Sequence, residues 1–210
     1  MLRASTFTSR QRLGAADVRK IACEAAFGGT LVTNIFRGLL AEALVSACLG
    51  DSWTWRSEDW APWDFDRLDG VRLEVKQSAA LQTWNRDSGK LSACRFDIKP
   101  RKGCFFGTDW HDHPGRHADI YIFAHHEVSD DSADHADPKQ WRFFVVPERL
   151  LPMCETISLK QVRKLASGVA RPELLGSADE CAVAEFQQGL LPRVGRLGVR
   201  ADFGSSQPAI

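Results

Sequence analysis

The chain has 210 residues, of which 44% are hydrophobic and 26% charged, enough apolar material for one folded domain and too much for a disordered chain. Lys plus Arg equals Asp plus Glu at 27 each, so net charge supplies no general attraction to nucleic acid or membrane, and any polyanion site has to be a local patch. Six widely spaced cysteines without a Cys-x-x-Cys pair argue against a disulfide framework and for a reducing, cytoplasmic setting.

In chain order, residues 1–13 are polar, lack the apolar run of a signal peptide and read as loose. A helix is expected from Ala15 to about Ala26, broken by Gly28-Gly29. A second helix is expected from an N-cap at Asn34, with Ile35, Phe36, Leu39, Leu40, Ala43 and Leu44 at helical spacing and Gly50 as its end. Its most apolar part, Gly38–Gly50, is too short to cross a bilayer and contains Glu42, so no membrane partner is expected. Strands are then expected over Trp63–Arg67, Val71–Gln77, 93–98, 118–124 and 141–147. The run ADIYIFA is apolar almost throughout, which suggests a central strand, and Pro147 ends the last one. Helices return afterwards, with capping boxes at Ser158/Gln161 and Ser177/Glu180. Residues 201–210 read as frayed. Helices, a run of strands and helices again imply one α/β domain with a core over about 15–195, a mixed sheet flanked by helices.

The hairpin around Leu68-Asp69-Gly70 carries the chemistry. A two-residue loop would set Phe65 opposite Glu74. A three-residue loop with Gly70 in the left-handed region pairs Arg67 with Val71, and so Asp66 with Arg72 and Asp64 with Glu74. The second register is favoured because it separates Asp64, Asp66, Arg72, Glu74 and Lys76 on one face from Trp63, Phe65, Val71, Leu73 and Val75 on the other. Asp64 and Glu74 are then about 5 Å apart at Cβ. Two carboxylates that close repel unless a positive charge lies between them. Mg²⁺ suits the place, since it takes one or two carboxylates, waters and a substrate phosphate at about 2.1 Å. Lys76, about 6.6 Å farther along the strand than Glu74, is placed to act on the attacking water or the scissile phosphate. Asp66 is expected to pair with Arg72 and stands as the reserve ligand.

Asp64 followed by Glu74-Val75-Lys76 resembles the PD-(D/E)XK nuclease signature, with the departure that Trp63 separates Pro62 from Asp64. NIFRGLLAEALV resembles the first core helix of that superfamily, whose Glu, here Glu42, helps the metal site. EVKQSAALQTW, RHADIYIF and WRFFVV resemble uncharacterised bacterial members, and the resemblance spans roughly residues 30–170. It implies a restriction-endonuclease-like three-layer sandwich and Mg²⁺-dependent phosphodiester hydrolysis, with Mn²⁺ as a substitute and DNA as the favoured substrate. Asp64, Glu74 and Glu42 would hold the ion, and Lys76 would complete the catalytic set. Gln77, which follows the Lys as in relatives of the motif, and Ser78, back on the Lys76 face, are candidates for contact with nucleic acid. Cutting both strands with so small a chain would call for a homodimer. The competing expectation is a catalytically silent nucleic-acid-binding or scaffold module of the same fold.

Arg95, Lys99, Arg101 and Lys102 form the best local patch for phosphate-backbone contact, and an exposed Trp60 or Trp84 could stack on a base. His111, His113 and His117 lack the further ligands of a zinc site. His125 and His126 end a strand, where one would point inward and the other outward. Asp130, Asp131, Asp134 and Asp137 lack the Gly and closing Glu of a calcium loop and read as a solvated acidic loop.

Overall fold

A computed structural model describes residues 14–57, 60–84, 90–172 and 175–176. The expected capping box at Ser177 and Glu180 lies outside the described residues. Helix α1 covers Ala15–Phe27 and contributes no buried residue. Helix α2 covers Arg37–Cys48 and starts later than the Asn34 cap predicts. Asn34 is engaged elsewhere: its amide donates to Thr83 and its carbonyl accepts from Arg37 at 2.6 Å. One tertiary bond, to Thr83, and one local bond, from Arg37, thus hold the turn before α2 in place of an Asn34 cap.

The central sheet is built from β1 (Trp53–Trp55), β2 (Phe65–Arg67), β3 (Arg72–Ala79), β7 (Ile120–His126) and β8 (Trp141–Pro147), in the order β1-β2-β3-β7-β8. Only β3 and β7 are parallel, so the sheet is mixed. Two further pairs lie outside it. They are β4 (Arg95–Asp97) with β9 (Thr156–Ser158), and the hairpin β5 (Cys104–Phe106) with β6 (Asp109–His111). The strand expected over 93–98 is therefore shorter, and it joins β9 rather than the central sheet. Helix α3 (Leu159–Leu165) opens with the predicted reciprocal bonds between Ser158 and Gln161.

Alternation divides the sheet between two cores. Leu73 and Val75 of β3, Ile120 and Ile122 of β7, and Phe143 and Val145 of β8 pack under Ala41 and Val45 of α2. Tyr121, Phe123, Phe144 and Val146 pack on the opposite face against Phe96, Ile98, Ile157 and Val162. Helix α2 thus covers one face, and β4, β9 and α3 cover the other. This double covering explains why β7 is buried along its whole length and why His125 and His126 are both buried, contrary to the one-in, one-out expectation. Burial of His125 lowers its pKa to about 4, leaving a neutral ring. The acidic loop is less solvated than its composition suggests. Asp134 accepts from the Leu31 and Ala136 amides, and Asp130 and Asp137 cap turns.

The β2–β3 turn has the predicted three-residue loop. Arg67 bonds to Val71, Asp66 lies opposite Arg72, and Gly70 sits at φ +86°. A Cβ at Gly70 would meet nothing within 4 Å, so Gly70→Ala carries only the conformational penalty. It is expected to cost about 1 kcal/mol, read as a fall in the chemical-denaturation midpoint at constant slope.

Candidate active site

Strand β2 stays paired with β3 only as far as Phe65 and Leu73, and the chain bends there. Both Asp64 and Phe65 oppose Leu73, since the Asp64 amide also donates to the Leu73 carbonyl, at 3.0 Å. This two-against-one pairing is a β-bulge, and it re-aims the side chains before it. Trp63 is consequently not on the Phe65 face as predicted. It is buried in the opposite core, where its Nε1 donates to Asp66 at 2.6 Å and Arg72 lies 4.1 Å from its ring centroid. Asp66 also differs from expectation: its ion pair is with Arg56, at 2.6 Å, and Arg72 stacks on the indole.

Beyond the bulge, the β2 side of β3 is open to side chains. Asp64 Oδ2 takes the Val75 amide at 2.6 Å, in place of the missing neighbour strand. Glu74 and Lys76 leave β3 on the Tyr121 face, and Lys76 Nζ donates to Glu74 Oε1. Glu42, on α2, accepts from Trp55 Nε1 at 3.1 Å. The charges of Glu74 and Glu42 raise the proton affinity of Asp64, and the charge of Glu74 raises that of Glu42. Burial first, then the charges of Glu74 and Glu42, push the Asp64 carboxyl from its ordinary 3.8 up to about 8, against the opposing pull of the Val75 amide and Lys76. Burial likewise pushes Glu42 up, opposed by the Trp55 hydrogen bond. The three acids thus lie within electrostatic reach of one another, but Asp64 lies against Leu73 instead of opposite Glu74 as the register predicts, and Glu74 is paired with Lys76.

Among the described residues, no three His, Cys, Asp or Glu side chains already form a metal-binding group. Loading an ion calls for Lys76 to release Glu74, and Glu42 can assist from α2.

Glu74 and Lys76 open onto a small surface cleft, bordered on its far side by Lys99, Arg101, His117 and Tyr121. Two of the predicted phosphate-contacting residues, Lys99 and Arg101, thus share the cleft with the motif. Arg95 does not, being exposed on β4 and bonded to Thr156. Lys102 is exposed and does not line the cleft. Gln77 lies on the α2 side, where its Oε1 accepts from the buried Arg37 Nε. Ser78 is buried and bonds to Cys94, which removes it from a surface phosphate contact. Trp60 and Trp84 are both exposed. The His113 and His117 Nδ1 atoms are 3.4 Å apart, with no third ligand gathered among the described residues.

Tyr121 and His117 went unassigned in the sequence. Tyr121 could have been found once β3 and β7 were known to be parallel in the register Glu74↔Tyr121. No protein-family profile and no curated protein matches the chain.

Proposed function

We propose that this chain is a metal-dependent nuclease that hydrolyses phosphodiester bonds, with DNA favoured by the motif resemblance. The observation that carries this reading is the Asp64–Glu74–Lys76 constellation at the bulge, with Asp64 pushed up to about 8 by burial and by its neighbouring carboxylates. The two-sided α/β sandwich around it supports the restriction-endonuclease-like assignment.

Asp64 and Glu74 would hold Mg²⁺ or Mn²⁺, with Glu42 assisting. The cation, when bound, lowers the pKa of water and offsets charge on the phosphate. Lys76, freed from Glu74, places an ammonium beside the reacting phosphate and orients the attacking water. Lys99 and Arg101 align the backbone of the substrate in the cleft. The free thiols of Cys23, Cys94, Cys104 and Cys154 accord with a reducing cytoplasm. Among the described residues, no helix is long and apolar enough to cross a membrane. Duplex cutting by this chain would use a homodimer. The test is incubation with DNA and RNA in Mg²⁺ or Mn²⁺, with product sizing. Intact substrates under every condition would sink the reading.

The Lys76–Glu74 ion pair favours a second reading, a silent module whose acid is already neutralised by its own lysine. The two readings part over metal. The nuclease reading expects Mn²⁺ binding by calorimetry, and the module reading expects none.

A pH dependence follows from Asp64. Below about pH 8 its carboxyl keeps a proton that an incoming cation must displace. Mn²⁺ affinity is expected to rise about tenfold per pH unit between pH 6 and 8. Binding heats are expected to scale with buffer ionisation enthalpy, as proton release requires. A flat affinity profile across that window would remove Asp64 from the metal site.

A further inference from the structure

The far wall of the cleft holds one donor, Tyr121, that the hydrolytic reading leaves unused, beside Arg101. The chain has one tyrosine, Tyr121. Its ring is buried, stacked near Phe123 with centroids 6.1 Å apart, and it lines the cleft with Glu74 and Lys76. A buried tyrosine hydroxyl normally finds a partner in the protein. No hydrogen bond to this one is found among the described residues, and the hydroxyl is not sealed from solvent.

Arg101 and His117 border the same space. Arg101 is fixed through its backbone, which exchanges bonds with Gly115 at 2.8 and 2.9 Å. Its guanidinium is only loosely paired with Asp97, at 3.6 Å and with both side chains more than half exposed. The guanidinium can therefore turn toward a ligand at little cost. The His117 ring also lines the space, but it is 7% exposed and its unpartnered Nε2 is itself sealed from solvent, so it serves as wall rather than as donor. Arg116 also borders the cleft but is already occupied, bonding to the carbonyls of Ile98 and Pro152 and pairing with Glu148.

We propose that the Tyr121 hydroxyl and the Arg101 guanidinium, walled by the His117 ring, form a second phosphate subsite beside the Glu74–Lys76 end of the cleft. A neutral hydroxyl and a planar cationic fork suit a tetrahedral oxyanion, which offers several acceptors and no donor. The occupant is a phosphate of the substrate other than the one being cut, either a neighbouring phosphodiester or a terminal phosphomonoester. The subsite rests on the nuclease reading for its purpose, but its binding can be measured without cleavage.

The lone tyrosine makes the test direct. Protein labelled with 3-fluorotyrosine gives one ¹⁹F resonance, and inorganic phosphate is titrated into it without metal and in EDTA. A saturable shift is expected, with affinity at least about tenfold weaker in Arg101→Ala, the scale of one charge-assisted bond, and unchanged in Lys160→Ala on the exposed side of α3. No shift at tens of millimolar phosphate, or equal affinity in Arg101→Ala, would overturn the subsite. A hexanucleotide with or without a terminal phosphate then separates the sources. A shift with both assigns the internal phosphodiester, and a shift with the phosphorylated strand alone assigns the terminal group. Phosphate binding without cleavage of any nucleic acid sinks the nuclease reading and not the subsite. Cleavage without phosphate binding does the reverse.

Discussion

Asp64→Ala is expected to abolish cleavage while leaving the metal-free protein folded and, near pH 8, no less stable than the wild type. The two halves have one cause. In the unfolded chain Asp64 ionises near its ordinary value of 3.8, and in the fold it is pushed up to about 8. Between those values the folded protein holds a proton that the unfolded chain does not. This linkage favours the fold at low pH and is lost as the pH rises through 8. Above 8, the wild type carries ionised Asp64 beside Glu74 and Glu42, a repulsion that Ala removes. Against this gain stands the Val75 amide, which loses its acceptor. Stability curves at pH 5 and 8 read the balance: the variant should fare better, relative to wild type, at pH 8. Glu74→Ala should also abolish cleavage, by at least about 10²-fold, though it strands Lys76 without its partner. Asp66→Ala, by contrast, should cleave normally, because Asp66 serves Arg56 and Trp63. An inactive Asp66→Ala with active Asp64→Ala would reverse the assignment of the acid.

The sequence carried the hairpin because its information is local. Gly70, the three-residue loop and the alternation of Val71, Leu73 and Val75 together fix which residues oppose one another. The bulge was not legible, since nothing in Trp63-Asp64-Phe65 separates a regular strand from one that begins only at Phe65. The break is settled by tertiary demands: the Val75 amide needs an acceptor, and Trp63 has room in the Tyr121 core. The fate of Asp66 and Arg72 followed from that one displaced indole. The far wall was hidden for a different reason. It forms when Ile98 bonds to Glu155 and Arg95 pairs with Ser158, contacts about sixty residues apart that no periodicity announces. Lys99 and Arg101 were found as a basic cluster, whereas Tyr121 read only as one more member of an apolar strand.

Lys76→Ala is expected to separate metal binding from catalysis. The ammonium is bonded to Glu74, and its charge draws the Asp64 proton off. Removing it frees the Glu74 carboxylate and takes a positive charge from the cation's neighbourhood, and both changes favour Mn²⁺. It also makes the Asp64 proton harder to displace, which opposes them. Near pH 8, where that proton is already half lost, the first two dominate, so Mn²⁺ affinity should be equal to wild type or higher. Cleavage should nevertheless fall by about 10²-fold or more, the scale for losing one preorganised charge or acid–base group. Lys76→Arg should not restore it, because a planar fork cannot take the place of a compact ammonium beside one water and one carboxylate. Calorimetry with Mn²⁺ and single-turnover cleavage on the same preparations read both quantities. If Lys76→Ala lost metal and activity together, the lysine would be holding the acids in place rather than acting on the substrate. If it cut at the wild-type rate, Lys76 would lie outside the active site, and the Glu74–Lys76 pair would be a structural ion pair on the wall of the cleft.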